Sequence, residues 1–201
     1  MANIAGLDTG TTSGFAAFCG EHLVHAEAFR PDGENDAAIF YGFRTWLRGM
    51  LMAHEIEELA IEEPLRSDLS KTETQDASDA FGKRVVKLRK PIGTMRTFLR
   101  LYGIRAHAIE VAHAVNVPCR EVNVQDWRQV IHGRRTAPKG TANASAWWKS
   151  QALERCRLLG WPIKSKDAAE AALVAEYLRI ALKEERLGIA VRPGDLFAGA
   201  A

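Results

Sequence analysis

NIAGLDTGTTSGFAAFC, Asn3 to Cys19, is the stretch whose reading decides the fold. An apolar run from Asn3 to Leu7 ends on Asp8, six residues rich in Thr, Ser and Gly follow, and a second apolar run covers Phe15 to Cys19. That pattern predicts strand, tight turn, strand. Gly20 and Glu21 separate the second strand from a third, His22 to Phe29, which completes an antiparallel meander. Next, Ile39, Phe40, Phe43, Leu47 and Leu51 recur near helical spacing, so Asp36 to Glu55 should be a helix covering the sheet. Leu59 to Glu63 reads as a fourth strand stopped by Pro64, and Cys119 to Val124 as a fifth. Between them, Ser67 to Asp79 is polar and reads as loop or frayed helix, while Thr94 to Val115 reads as a long helix that tolerates Gly103. Gly133 to Asn143 is a basic connector. Ser145 to Leu159 and Lys166 to Leu182 read as two further helices, the first ended by Gly160 and Pro162. The expected architecture is α/β: a mixed five-stranded sheet, three strands in a meander plus two parallel, flanked by helices. Residues 1–185 should form one domain and residues 186–201 a loosely held tail.

Composition narrows the function classes. Hydrophobic residues at 47% and charged residues at 26% describe an ordinary globular chain. Cys19, Cys119 and Cys156 are scattered and odd in number, which suggests neither a zinc site nor a disulfide framework and fits reduced thiols. With no signal-peptide pattern at the start and no apolar run long enough to span a bilayer, a cytoplasmic protein is expected. The net charge of +2 hides a strong asymmetry. Phe81 to Ile109 holds eight basic residues and no acid, leaving about −6 for the rest of the chain. A second acid-free stretch, Trp127 to Leu153, carries Arg128, Arg134, Arg135, Lys139 and Lys149. A polyanion-binding surface beside an acid-lined site would need such segments; solvated helix faces and loops would also produce them.

The acids carry the chemistry. Asp8 ends the first strand and Glu62 lies near the end of the fourth. Alternation places Ile4, Gly6 and Asp8 on one face, and Ala60 with Glu62 on one face of the fourth strand. A carboxylate on a sheet face under a helix is costly to desolvate, and a divalent cation would compensate it. Asp167 and Glu170, at i and i+3, should face the core with Val174 and Tyr177. Asp167 as N-cap with Glu170 at N3 is equally acceptable as a capping box. Four acids converging on one point would repel one another unless metal ions bound among them. Two magnesium ions about 3.5–4 Å apart could then clamp both oxygens of an in-line phosphodiester displacement.

GLDTGTTSGFA at Gly6 to Ala16, AIEEP at Ala60 to Pro64 and KDAAEAALVAEYL at Lys166 to Leu178 together resemble the RuvC-like Holliday junction resolvases, notably the shorter phage and prophage forms. Weaker similarity runs through EVNVQDWR at Glu121 to Arg128 and SQALERCRLLGW at Ser150 to Trp161. The resemblance implies the RNase H-like fold and a metal-dependent endonuclease acting on four-way or other branched DNA, with Asp8, Glu62, Asp167 and Glu170 as catalytic metal ligands. It also implies two Mg2+ ions, with Mn2+ an acceptable substitute, and a homodimer that sets two sites on one junction. The final pair departs from the family: bacterial RuvC typically carries Asp-x-x-Asp where this chain has Asp167-x-x-Glu170, a longer arm. Lys83, Arg84, Lys87, Arg89, Lys90, Arg134 and Arg135 are the expected DNA contacts. Phe81 reads either as core or as a wedge stacking on an opened base pair.

Two other readings compete. LDTGTTSG also resembles the phosphate turn of actin-like ATPases and sugar kinases, although no second glycine-rich phosphate turn follows a later strand. A non-cleaving junction- or RNA-binding protein could use the same fold, though retention of four carboxylates speaks against a dead nuclease. His107 and His113, six residues apart on one helix, read as packing or surface residues. Trp147 and Trp148 cannot both face the core, whereas Trp46, Trp127 and Trp161 read as core.

Overall fold

The computed structural model describes residues 2–63, 70–79, 82–91 and 94–188, with the backbone alone for 70–79 and 82–91. Phe81 and the tail from residue 189 onward lie outside the described residues. Strands β1 (Asn3–Asp8), β2 (Ser13–Cys19) and β3 (His22–Phe29) form the expected meander, followed by α1 (Asp36–Ala53) and β4 (Glu58–Glu62). Then come β5 (Ser70–Asp79), β6 (Gly82–Pro91), α2 (Met95–Ala114), β7 (Cys119–Val122), α3 (Val124–His132), α4 (Ala144–Leu158) and α5 (Lys166–Arg186). The main sheet has the order β3-β2-β1-β4-β7, with β1 parallel to β4 and β4 parallel to β7. This is the five-stranded mixed sheet expected from the pattern.

Alternation sorts the sheet into two faces. Ala5, Leu7, Phe15, Ala17, Leu59 and Ile61 pack under α1 and α2, against Phe43, Leu47, Leu51 and Ile104. Ile4, Ala16, Phe18 and Ala60 face α5, with Trp127 and Ile131 of α3 and Ala152 and Cys156 of α4 completing that core. Apolar burial on both faces is the main favourable term, at roughly 25 cal/mol per Å2 removed from water. Each helix opens on an Asn, Thr or Ser whose side chain accepts a backbone N–H of the first turn: Asn35, Thr94, Asn123, Asn143 and Ser165.

Two segments differ from expectation. Ser67 to Asp79, read as loop or frayed helix, contains β5, which pairs antiparallel with β6 from Ser70↔Pro91 to Asp79↔Gly82. Its sequence, SKTETQDASD, lacks apolar alternation. The strand is therefore specified by ladder hydrogen bonds to β6 and carries no core-facing signature. The fifth strand ends at Val122, and Val124 begins α3, because Asn123 caps a new helix that Gly133 terminates in the left-handed region at φ 72°. Among the described residues no helix is long and apolar enough to cross a membrane.

Candidate metal centre

Parallel pairing sets the first two acids side by side. β1 and β4 run in register from Ile4↔Glu58 to Leu7↔Ile61, so Asp8 and Glu62 follow the last pair at the same end of adjacent strands. The helix that brings the other two is admitted by glycine. A Cβ on Gly6 would lie 2.1 Å from the Ala171 carbonyl oxygen, and one on Gly14, the β2 partner of Asp8, 2.0 Å from that of Asp167. α5 thus rests directly on the β1–β2 backbone, and its first turn sits over the strand ends. Ser165 is the N-cap, accepting from the Ala168 N–H at 3.4 Å. The alternative of Asp167 as cap is thereby overturned: a serine two residues earlier already holds the orphan donor, which leaves both acids to face the sheet.

Asp8, Asp167 and Glu170 offer carboxylate oxygens that all lie within 4.8 Å of one another. Glu62 stands beside this trio, with Oε2 accepting a 2.8 Å hydrogen bond from the Trp127 indole Nε1. Among the described residues, two cations enter the cluster. Lys149 of α4 donates from Nζ to Asp167 Oδ1 and lies 4.0 Å from Glu170 Oε2. The Arg128 guanidinium is 3.7 Å from Glu170 Oε1 and is stacked 4.6 Å from the Trp148 ring centroid and 5.3 Å from that of Trp127.

Two positive charges do not balance four carboxylates. Burial, then the fields of Glu62 and Glu170, raise the Asp8 carboxyl well above its ordinary range. Burial and the Glu62 charge push Glu170 up to about 7. Burial also raises Glu62, against the pull of Arg128 and the Trp127 hydrogen bond. Burial lowers Arg128, opposed by Glu62, Glu170 and Asp8. For Lys149, burial works downward, but the hydrogen bond and charge of Asp167 prevail and raise it. A trio of hard-oxygen donors, Glu170 buried and Asp8 and Asp167 partly buried, with unbalanced negative charge fits a divalent cation of the magnesium, manganese or calcium type. The acids lie in an open cleft of about 880 Å3, whose wall includes Thr9 to Thr12, Gln125, Trp148 and Arg135.

The expected DNA contacts divide. Arg135 is exposed on the cleft wall, 3.3 Å from Asp126, and Arg134 is exposed with its guanidinium 5.8 Å from the Trp147 ring centroid. Lys83, Arg84, Lys87, Arg89 and Lys90 occupy register positions of β6 opposite Ser78, Ala77, Thr74, Thr72 and Lys71, their side chains lying outside the described residues. Trp148 is buried and Trp147 partly exposed; Trp127 is buried, with Trp46 and Trp161 at the core margins. His107 packs 4.9 Å from Phe40 and 3.2 Å from Glu110, an ordinary surface arrangement. Sequence reasoning did not assign Arg128, Lys149 or Trp127 to the acids. The first two were visible as basic residues of the acid-free stretch, but nothing in their spacing says which basic residues turn inward.

No family model matches the chain, and no curated protein matches its sequence. Solved structures do match. The Thermus thermophilus RuvC structure superposes with a TM-score of 0.63 at 16% identity over 94% of this chain and 98% of its own. T. thermophilus RuvC in complex with Holliday junction substrate gives 0.63 at 15% identity over the same shares. The yeast mitochondrial Holliday junction resolvase Ydc2 gives 0.50 at 12% identity, covering 94% of this chain and 83% of its own. Strand order, the helix seated on two glycines and near-complete mutual coverage lead to one conclusion: this chain has the RuvC-like form of the RNase H-like fold.

Proposed function

We propose that this protein is a divalent-metal-dependent endonuclease that cuts branched DNA, four-way junctions above all, as a homodimer. The observation that carries the reading is the convergence of Asp8, Asp167 and Glu170 within 4.8 Å, on a fold shared with a RuvC that is known in complex with Holliday junction substrate. Asp8, Glu62, Asp167 and Glu170 hold the metal. When bound, two Mg2+ ions, replaceable by Mn2+, supply charge neutralisation and Lewis-acid polarisation at the phosphate. The protein's own groups do the rest. Asp8 and Glu62, on rigid central strands, fix one side of the reacting phosphate's position, and the first turn of α5 fixes the other. Lys149 and Arg128 place positive charge beside the developing negative charge of the phosphoryl group. The basic residues of β6, with Arg134 and Arg135, hold flanking backbone without reading sequence. Two copies related by a two-fold axis would present two such sites to opposing strands of one junction.

The test is cleavage of a labelled four-way junction beside matched duplex and single strand, with magnesium, manganese or chelator. Paired symmetric nicks in the junction alone, lost with chelator and in Asp8→Asn, are expected; the substitution should lower the rate at least about 100-fold, the scale of losing one transition-state-stabilising group. Intact DNA together with saturable ATP binding would overturn the reading in favour of a phosphate-turn ATPase.

A further inference from the structure

Glu62 differs from the other three acids in being held by a neutral group. Strand β7 runs parallel to β4 with Val122 opposite Glu62, and the chain turns into α3 at the next residue. Asn123 makes that turn: its side chain accepts from the Gln125 N–H at 2.9 Å, and its Nδ2 donates to Glu63 Oε2 at 2.9 Å, tying the helix start to the end of β4. The first turn of α3 then swings Trp127 back over Glu62. The indole is 1% exposed, and its single N–H is spent on Glu62 Oε2. One ring face lies 5.3 Å from the Arg128 guanidinium, which pairs with Glu170.

We propose that Trp127 is the positioning residue of this centre, fixing Glu62 through its indole N–H so that the remaining carboxylate oxygen faces the metal held by Asp8, Asp167 and Glu170. The assignment rests on the metal-centre reading above. An indole suits the role because it donates one hydrogen bond and accepts none, so it leaves Glu62 a single orientation, and it adds no charge to the cluster. Outer-shell donors of this kind typically change metal affinity about 10- to 100-fold when removed. The Arg128 guanidinium that pairs with Glu170 lies 5.3 Å from this ring and 4.6 Å from that of Trp148, so Trp127 holds a strand acid directly and shares in holding a helix acid through its cation.

The experiment is Mn2+ binding by calorimetry on the intact protein, with Trp127→Phe, Glu62→Gln and the double variant, each checked for its melting temperature. Trp127→Phe should weaken Mn2+ binding about 10- to 100-fold. Added to Glu62→Gln it should weaken binding no further, because the indole acts through that carboxylate. If phenylalanine does not fold, benzothienylalanine at 127 keeps the bicyclic ring and removes only the N–H, and the same loss is expected. Wild-type affinity in either N–H-lacking variant overturns the assignment while leaving the metal centre standing, as does a full additive loss in the double variant. Absence of saturable Mn2+ binding in the wild type overturns the metal centre and this assignment together.

Discussion

The two faces of the sheet are packed on opposite principles. Under α1 and α2 the contact is made by large side chains, with Phe15, Phe43, Leu47, Leu51 and Ile104 at the centre. Under α5, large side chains such as Phe18, Leu173 and Leu178 flank a seam made without them: Ala171 and Ala175 lie on Gly6, and the Asp167–Ala168 backbone lies on Gly14. Large side chains hold a helix roughly 8–10 Å from its neighbour and give stability with some tolerance for repacking. Small ones let backbone touch backbone, which is what allows carboxylates as short as Asp8 and Asp167 to meet. The first face is built to hold the fold together, the second to bring groups to a point.

The strongest way to break that contrast is a single methyl group. Gly6→Ala places a Cβ 2.1 Å from the Ala171 oxygen and 2.5 Å from the Ala175 nitrogen, both backbone atoms that cannot rotate aside. It should destabilise the protein by about 3 kcal/mol and, by lifting α5, lower metal affinity as well; a denaturant titration matching wild type would refute the backbone-contact account.

A middle-sized effect comes from charge on the same face. Glu170 has its folded-state pKa raised from an ordinary 4.5 to about 7, mainly by burial. The fold thus prefers the protonated acid, so this stabilising contribution is complete below about pH 4.5 and is lost as pH rises through about 7. Metal-free protein should therefore melt earlier at pH 8 than Glu170→Gln does, by a few degrees at ~2–4 °C per kcal/mol, and the difference should vanish near pH 4. Added divalent cation should raise the wild type and not the variant. Equal melting temperatures of the two metal-free proteins at pH 8 would mean that Glu170 is not strained.

The smallest effect belongs to the opposite side. Gly49, in the middle of α1, has no neighbour within 4 Å of a would-be Cβ. Gly49→Ala should stabilise by about 0.5–1 kcal/mol through helix propensity alone, leaving activity unchanged. A loss of stability there would show that α1 makes contacts its exposed surface does not reveal.

Much of this was legible in the chain. The meander, β4, β7 and four of the five described helices follow from apolar period, and alternation gives the faces of Asp8 and Glu62; that their strands are neighbours followed from the fold whose element order the chain shares. α3 was not read, because nine residues with only Trp127 and Ile131 buried give too little period; Asn123 and Gly133 were the available signs of its ends. The β5–β6 hairpin was hidden for a different reason: SKTETQDASD carries no apolar alternation from which a strand could be read. Around the acids, charge was readable but inward direction was not, since Arg128 and Lys149 are turned inward by how α3 and α4 pack on α5. Gly6 read as a strand residue and Gly14 as part of the turn, and their role in admitting a helix depends on a partner more than 150 positions away.

The alanine-on-glycine contact also has a thermal consequence. Neither residue type has side-chain rotamers to freeze on folding, so this junction forms without the ordering cost that each leucine or phenylalanine on the other face incurs. Nor does it have rotamers to populate once formed. The backbone spacing of Asp167 and Asp8 is then set by a direct backbone contact, which makes it less sensitive to temperature than a spacing across a layer of hopping side chains.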